Sequence, residues 1–533
     1  MVDFTDSLLP GPGSDGAEIL KRERGQSTIR VKELSKHLFS HNGFLERQQR
    51  VLSIIEAEPL CSKTNQMNLS RPDRFHLGLA RAKLTKRLSD KHGWDLEDNK
   101  MAEYLIDEML PYHLHPNLFL TTMREQGSEE QKAYWLPRIE KYEIIGAYAQ
   151  VHKTELGHGS NVRGLELEAK WDPRASEFVL HSPTLTASKW WNGALGRTAN
   201  HAIVVAQLLL PQEGSTTTYS SYGPHPFVVQ VRDMKTHLPL PGIVVGDIGA
   251  KFGYACMDNG YMLFDHFRIP HSAFLSRYSK VDPSTGAFSQ PENSTVVYGT
   301  MTFVRSNIAM HARLILARAV TVAVRYTSIR RQFRDRDVDQ NIGQEIPVLD
   351  YPTVQIRILP LLATTFALHY GAKAMGELYF RTREQVNVGD FAALADLHST
   401  SSGLKSLCTG LAADGIETCR RALGGHGYGG GSGLVQLSHD YLAKPTVEGD
   451  NWMITQQVAA YLIKKMASAV KLPDSAASDD TDANLKAFIK ARENPRTTVE
   501  YLDILNDDYA IVLAFRTRAA SLVRTSWHHL VMN

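Results

Sequence analysis

AYAQVHKTELGHGSNVRG, residues 147–164, begins like a buried strand and then turns polar, with Thr154, Glu155, His158 and Ser160 set around Gly157 and Gly159. Two readings compete. A surface turn uses these residue types for their backbone freedom and local hydrogen bonds. A large polar ligand would need them for the same reasons, since hydroxyls and bare backbone can then be laid against it. What surrounds the stretch decides between the two.

Upstream, residues 28–146 carry helical periodicity and many charges, as in RFHLGLARAKLTKRLSDKHG and NKMAEYLIDEMLPYHL, and predict an N-terminal helical domain. From Ala147 the pattern changes to short β-branched or aromatic runs such as EFVLHS, HAIVVAQL, FVVQVRD and YMLFDHFRI, which predict a β-domain over 147–285. PQEGSTTTYSSYGPHP, 211–226, reads as a surface loop between two of these strands. Helical periodicity returns near Val297. There Val304, Ile308, Ala312, Ile315, Ala319 and Val322 form one apolar stripe along a long helix. A helical bundle is predicted over 286–470, an acidic, small-residue linker (KLPDSAASDDTDA) over 471–483 and a last helical domain over 484–533, with residues 1–27 as an N-terminal extension. The fold class is therefore multidomain α+β: helical domain, β-domain, then C-terminal helical regions.

Composition bounds the function. A chain of 533 residues needs several cores, two to four domains being expected. Lys and Arg total 59 against 57 Asp and Glu, with no basic excess gathered on one element, so a nucleic-acid partner is not expected. Cys61, Cys256, Cys408 and Cys419 lie far apart without metal-ligand spacing and read as reduced thiols. No metal site is expected, His113 and His115 in YHLHPN reading as surface or core histidines. The N-terminus lacks a secretory signal pattern, and the strongest apolar run, Ile203 to Leu210, is too short to span a bilayer. The C-terminal HHLVMN carries no Ser-Lys-Leu-type peroxisomal address.

GHGYGG, with Gly425, Gly427 and Gly430, satisfies G-x-G-x-x-G. That expression signals a dinucleotide fold only after a strand and before a helix, and LAADGIETCRRAL before it reads as helix. Helix, β and helix in succession also disfavour an alternating parallel α/β sheet. A glycine-rich loop after a helix can still let backbone approach a phosphate or an adenine.

Taken together, YAQ…TELGHGSNVRGLE, SPTLTASKWWNGALGRTANHAIVVAQL, GIVVGDIGAKFGYACMDNGYMLFDHFRIP, RYTSIRRQF, CRRALGGHGYGGGSGL and TVEGDN resemble the acyl-CoA oxidases, a branch of the acyl-CoA dehydrogenase superfamily of flavoproteins. The motifs run in the family's order over roughly residues 10–515. The resemblance implies that the helical region over 286–470 is a C-terminal four-helix bundle followed by a shortened second helical domain, with bound FAD, an acyl-CoA substrate, oxygen as electron acceptor with hydrogen peroxide as product, a homodimer and a peroxisomal location. It implies that Thr154 and Gly193 lie against the flavin ring, that one of Trp190 and Trp191 screens it, that Gly425 belongs to the glycine-rich loop, and that Arg330 of IRRQF reaches the FAD pyrophosphate from the neighbouring subunit. Taken alone, Thr154 is a turn residue, the tryptophans are core aromatics and Arg330 is a solvated charge at a helix end.

Glu448 in PTVEGDN is the residue on which function turns. By position it is a carboxylate at a helix N-terminus, favoured there by the dipole. In the family, a glutamate followed by glycine after G-G-x-G-Y is the base that takes the thioester's α-proton as the β-hydrogen leaves as hydride. Arg334 and Arg421 stand where dehydrogenases often have glycine and glutamine, and Arg421 leans toward the oxidase branch. Two departures remain: Val151, His152 and Lys153 interrupt the family's Y-A-Q-T-E, and the ending RTSWHHLVMN is unlike the family's continuation. An insertion in a strand flips the faces beyond it unless a bulge or loop absorbs it. The rival expectations are therefore a dehydrogenase that passes electrons to a transfer protein, and a non-catalytic paralogue.

Overall fold

The computed structural model describes residues 15–39, 43–64, 66–149, 155–212, 218–290, 299–334, 345–493 and 506–532, with Phe4 and Ser215. The chain begins with helices α1 (Gly16–Gln26), α2 (Val31–Phe39), α3 (Phe44–Glu56), α4 (Arg71–His92), α5 (Leu96–Ile106), α6 (Leu120–Gln126) and α7 (Glu129–Glu140). Their ends follow from local chemistry. Ser70 caps α4, which stops at Gly93 in the left-handed region; Asp95 and Asp98 form a capping box on α5. Val51, Leu88, Met101 and Ile106 pack one core beneath these helices.

The β-region holds β1 (Gly146–Ala149), β2 (Glu168–Asp172), β3 (Glu177–His181), β4 (Lys189–Asn192), β5 (His201–Pro211), β6 (Tyr219–Gln230), β7 (Ile243–Asp247), β8 (Gly260–Phe264) and β9 (Phe267–Pro270). β5 is the spine: β1 and then β2 pair with it in parallel, while β6 runs antiparallel to it. The sheet continues through β3 to β9, and β4, β8 and β7 form a second, three-stranded sheet. Trp171, Phe178, Phe227 and Phe274 fill the main β-region core. One expectation is corrected here. Residues 219–226 are not loop but the first part of β6, with Ser220, Ser221, Pro224 and Pro226 in register against β5; tertiary pairing overrides their turn-like composition.

Helices α8 (Gly299–Ile329), α9 (Pro352–Asn387), α10 (Leu394–Ala422) and α13 (Asn451–Lys471) form the bundle, α10 packing on α8, α9 and α13. Between α10 and α13 lie the short turn α11 (Gly425–Tyr428) and α12 (Leu434–Tyr441). The predicted stripe on α8 is its buried face, with Ile308, Ala312, Ile315 and Ala319 all in the core. Residues 302–329 are long and apolar enough to cross a bilayer, yet nearly half of that window is buried by neighbouring helices, which is what a bundle core requires. Helix α14 (Asp480–Glu493) begins inside the segment read as linker, and with α15 (Asp508–Met532) packs on α13 through Met466, Ala469, Leu485 and Ala520.

Candidate active site

The opening stretch resolves into an anchor. Thr154, like the inserted Val151–Lys153, lies outside the described residues. Glu155 is buried and bridges Lys189 at the start of β4. Its Oε1 accepts from Lys189 Nζ at 3.0 Å and from Leu167 N at 3.1 Å, and its Oε2 from Glu166 N at 2.8 Å. Leu156 N and Gly157 N then donate to Ser188 O and Thr186 O. Burial pulls the Lys189 ammonium below its ordinary range, while the Glu155 charge opposes that. The residue after Thr154 therefore fixes the start of the glycine-rich stretch to β4, whatever passes before it.

Gly193 follows β4 in a turn where Trp191 and Ala194 both have positive φ. A Cβ on Gly193 would lie 2.4 Å from Leu114 Cδ1 and 3.1 Å from Met257 Sδ, so any side chain there would have to displace the ends of those two side chains. Trp190 stacks on Tyr261 at 5.4 Å, whereas Trp191 is 53% exposed. The loop carrying Met257 docks on α12. Tyr254 N donates to Asp440 Oδ1 at 2.6 Å, Phe252 lies 4.4 Å from the His439 ring, and Lys444 sits over the Tyr254 ring. Burial pushes the Asp440 carboxyl up to about 6. This chain of contacts leads from the Gly193 turn to the loop that bears Glu448.

That loop is unusual in its backbone. Glu448 has φ 57° and Gly449 φ 98°; a non-glycine residue in the left-handed region costs on the order of 1–2 kcal/mol, and it persists where the surroundings fix it. Two buried cations do so. Arg305 of α8 donates from Nε to Glu448 O at 3.0 Å, and Lys405 of α10 donates from Nζ to Gly449 O at 2.6 Å. Burial pulls the Arg305 guanidinium down and the Glu448 charge raises it. Glu448 itself is half-buried, just ahead of Asp450, which caps α13 by accepting from Trp452 N at 3.0 Å. The helix-end position read from sequence is real, but the strained backbone and its two buried clamps exceed what a dipole-favoured surface carboxylate needs.

Arg330 and Gly425 fall elsewhere. Arg330 is exposed beyond the C-terminal end of α8, with no carboxylate partner among the described residues. Gly425 is exposed on the α10–α11 turn, and a Cβ there would meet nothing within 4 Å. The two are neighbours, because Tyr326 of α8 packs against His426 at 5.8 Å. From Arg305 to Tyr326 the helix rises by about 30 Å. Within one chain, then, a series of contacts links the Gly193 turn to the loop that bears Glu448, while Arg330 and Gly425 lie near each other at the far end of α8.

The residues missed from sequence are Arg305 and Lys405, although each leaves a trace. Arg305 lies one helical step from Ile308 on the apolar stripe, and Lys405 shares a face with Ser401, Ser402, Cys408, Thr409 and Ala412, all buried. A charge on a buried stripe marks a polar group it must satisfy. His113 pairs with Glu103 at 3.1 Å. His115 is in the core: Gly146 N donates to its Nδ1 at 3.1 Å and its Nε2 donates to Ile139 O at 3.0 Å. Burial holds it down at about 4.

A β-region set between helical regions, with a clamped carboxylate loop linked through α12 to a glycine turn, defines the acyl-CoA dehydrogenase type of flavoprotein architecture. The Acyl-coenzyme A oxidase N-terminal model matches residues 30–145, and the Acyl-CoA oxidase, C-alpha1 domain model matches residues 298–463. Peroxisomal acyl-coenzyme A oxidase 1 of Arabidopsis thaliana is 41% identical over 463 residues, 85% of this chain and 67% of the relative. The solved Arabidopsis thaliana acyl-CoA oxidase 1 superposes with TM-score 0.88 at 37% identity, covering 96% of this chain and 76% of the other. Acyl-CoA oxidase-2 of Caenorhabditis elegans, solved with FAD, ascaroside-CoA and ATP, gives TM-score 0.79 at 31% identity over 97% of this chain and 80% of that one. The chain belongs to the acyl-CoA oxidase family, whose members are FAD-dependent oxidoreductases.

The residues present fit that cofactor. Asn192 Nδ2 and the Tyr254 hydroxyl are buried without partners among the described residues, one beside Gly193 and the other on the loop that packs against it. The acceptor-rich edge of a flavin suits such donors. The open backbone at Gly425 and the exposed guanidinium of Arg330 suit a diphosphate-bearing tail.

Proposed function

We propose that Glu448 is the general base that removes the α-proton of a bound acyl-CoA thioester, that oxygen is the final electron acceptor, and that each FAD site is completed across a homodimer. FAD, when bound, supplies the hydride acceptor and the route to oxygen, so that a saturated acyl-CoA leaves as its trans-2-enoyl form and hydrogen peroxide is made. Everything else falls to the chain. Because the α-hydrogen of a thioester is weakly acidic, the site must hold donors where enolate charge develops, and the backbone N–H of Glu448 is placed in that role together with the cofactor's ribityl hydroxyl. The carboxylate must stay poised against the α-carbon, which the left-handed turn and its clamps serve.

The clamped Glu448 loop carries the catalytic reading over a non-catalytic paralogue. The length of α8 carries the dimer. Thr154 and Gly193 are assigned to the flavin ring and Glu448 to the substrate, whereas Arg330 and Gly425, assigned to the cofactor's phosphate side, lie about 30 Å along α8 from the Arg305 clamp of Glu448, so they serve the cofactor of a second copy. Peroxisomal location is proposed from the relatives, which are named peroxisomal.

Subunit mixing tests this arrangement. Glu448→Gln and Arg330→Ala chains, co-expressed, form hybrid dimers in which one site receives both intact residues. Assayed after dilution into FAD-free buffer, where sites lacking Arg330 have released their cofactor, activity above the sum of the two parents, up to about a quarter of wild type by statistical pairing, is expected. Activity equal to that sum refutes a shared site.

A further inference from the structure

Lys405 is fully buried on α10, and no step of the proposed reaction calls for a lysine. Its Nζ donates to Pro445 O at 3.2 Å, Gly449 O at 2.6 Å and Asn451 Oδ1 at 3.0 Å. An ammonium has three N–H donors, and these three acceptors flank Glu448 on both sides. Asn451 is itself locked, its Nδ2 donating to Ser406 O at 3.1 Å and to Thr409 Oγ1 at 3.0 Å. Its oxygen is thereby turned toward the lysine. Pro445 O also accepts from Asn451 N at 2.9 Å, closing the loop on itself.

A buried lysine is an expensive way to tie down a loop, since well-packed apolar residues often replace buried charges without loss of stability. What an apolar residue cannot do is fix the direction of carbonyls. With Glu448 and Gly449 both at positive φ, their carbonyls point into the bundle, and Arg305 takes the first while Lys405 takes the second. We infer that Lys405 is a positioning residue: it holds the segment from Pro445 to Asn451 so that the Glu448 carboxylate stays aimed at the substrate's α-carbon. This rests on Glu448 being the base. A plain structural role predicts a different outcome, in which loss of the lysine lowers stability and cofactor content while each folded, loaded molecule reacts as before.

The test uses holoenzyme of Lys405→Met, alone and combined with Glu448→Gln. Two quantities are read: the anaerobic rate of flavin reduction by saturating acyl-CoA, and acyl-CoA affinity from the perturbed flavin spectrum. A base displaced by about 1 Å loses on the order of a hundredfold, so Lys405→Met is expected to reduce its flavin about 10- to 100-fold more slowly, with affinity within about threefold of wild type. Lys405→Arg is expected to recover part of the rate. Because both residues act through one carboxylate, Lys405→Met should add little to Glu448→Gln. A wild-type rate per bound flavin, or an equal further loss in the Glu448→Gln background, overturns the inference. Should Lys405→Met yield no holoenzyme, Lys405→Arg carries the comparison: it keeps the charge but displaces the donors, so a slowed rate per bound flavin supports positioning and a wild-type rate overturns it. If Glu448→Gln itself reduces at the wild-type rate, the base assignment fails. If Glu448→Gln is inactive and Lys405→Met reacts normally, only the role of Lys405 is lost.

Discussion

Glu155→Gln and Lys189→Met remove opposite halves of the same buried contact, and they should not cost the same. Both side chains are wholly buried and lie 3.0 Å apart. Glutamine leaves the Lys189 ammonium without its counter-charge. It also offers one oxygen where the carboxylate accepted from Lys189 Nζ, Leu167 N and Glu166 N, so an amide N–H must face at least one of those donors. Breaking a buried pair from one side costs about 3–5 kcal/mol. Methionine at 189 also breaks the pair from one side, but it leaves a carboxylate that keeps both backbone N–H groups, so its cost lies toward the lower end of that range. At about 2–4 °C per kcal/mol for a unit of 150–250 residues, Glu155→Gln should lower Tm by roughly 6–20 °C, and Lys189→Met by less. Because Glu155 fixes the residues next to Thr154, flavin content should fall in the same order. Flavin-fluorescence melting and the flavin-to-protein absorbance ratio measure both. If Glu155→Gln is as stable and as yellow as wild type, or Lys189→Met is the more damaging, the reasoning about the pair is wrong.

His115 sets an acid limit. Its folded pKa of about 4 lies below the ordinary 6.5, so its contribution is fully present above pH 6.5 and is lost as pH falls toward 4, about 2 kcal/mol being gone by pH 5. Melting temperatures from pH 7.5 to 4.5 should fall accordingly, and His115→Gln should be weaker at pH 7.5 but fall less steeply; parallel slopes would refute the assignment. Arg330→Ala should release FAD faster on dilution while leaving the reduction rate per bound flavin near wild type; unchanged retention would remove Arg330 from the cofactor site. Asp440, with a carboxyl raised to about 6, costs stability when ionised. That cost is absent below the ordinary carboxyl value of 3.8, builds as pH rises from there to about 6 and is constant above it, so Asp440→Asn should stabilise the protein most at pH 7.5 and progressively less as pH falls to 4.5, as differential melting will show.

How much of this was legible in the sequence depended on the kind of signal. Periodicity located α4, α8, α9 and α13, because each buries a face against neighbours and the spacing of Ile308, Ala312, Ile315 and Ala319 records that burial. Composition misread 219–226, since Ser, Gly and Pro there are held by pairing with β5 rather than by their own preferences. Asp480 opens a helix within an acidic run because Lys465 of α13 pairs with Asp479 just ahead of it, and Lys486 pairs with Asp482 one turn away within α14. At the site, Glu448 was legible as a motif, but its left-handed backbone was not. Arg305 and Lys405, one on α8 and the other on α10, reach the loop only once the bundle is assembled. No local pattern joins residues so far apart in the chain. Glu155 was visible as one polar residue among several, and only the fold separates it from its neighbours by burying it on Lys189.

The central claim is that Glu448 takes the α-proton. Glu448→Gln keeps nearly the same volume and the carbonyls that Arg305 and Lys405 bind, losing only the carboxylate's charge beside Arg305, so folding and FAD content should survive. Loss of a positioned base costs roughly two to four orders of magnitude. Mixed anaerobically with acyl-CoA, the variant should show the spectral perturbation of substrate binding while the flavin absorbance near its visible maximum bleaches at least about a hundredfold more slowly than in wild type. Bleaching at close to the wild-type rate would contradict the account and leave Glu448 a carboxylate at the start of a helix.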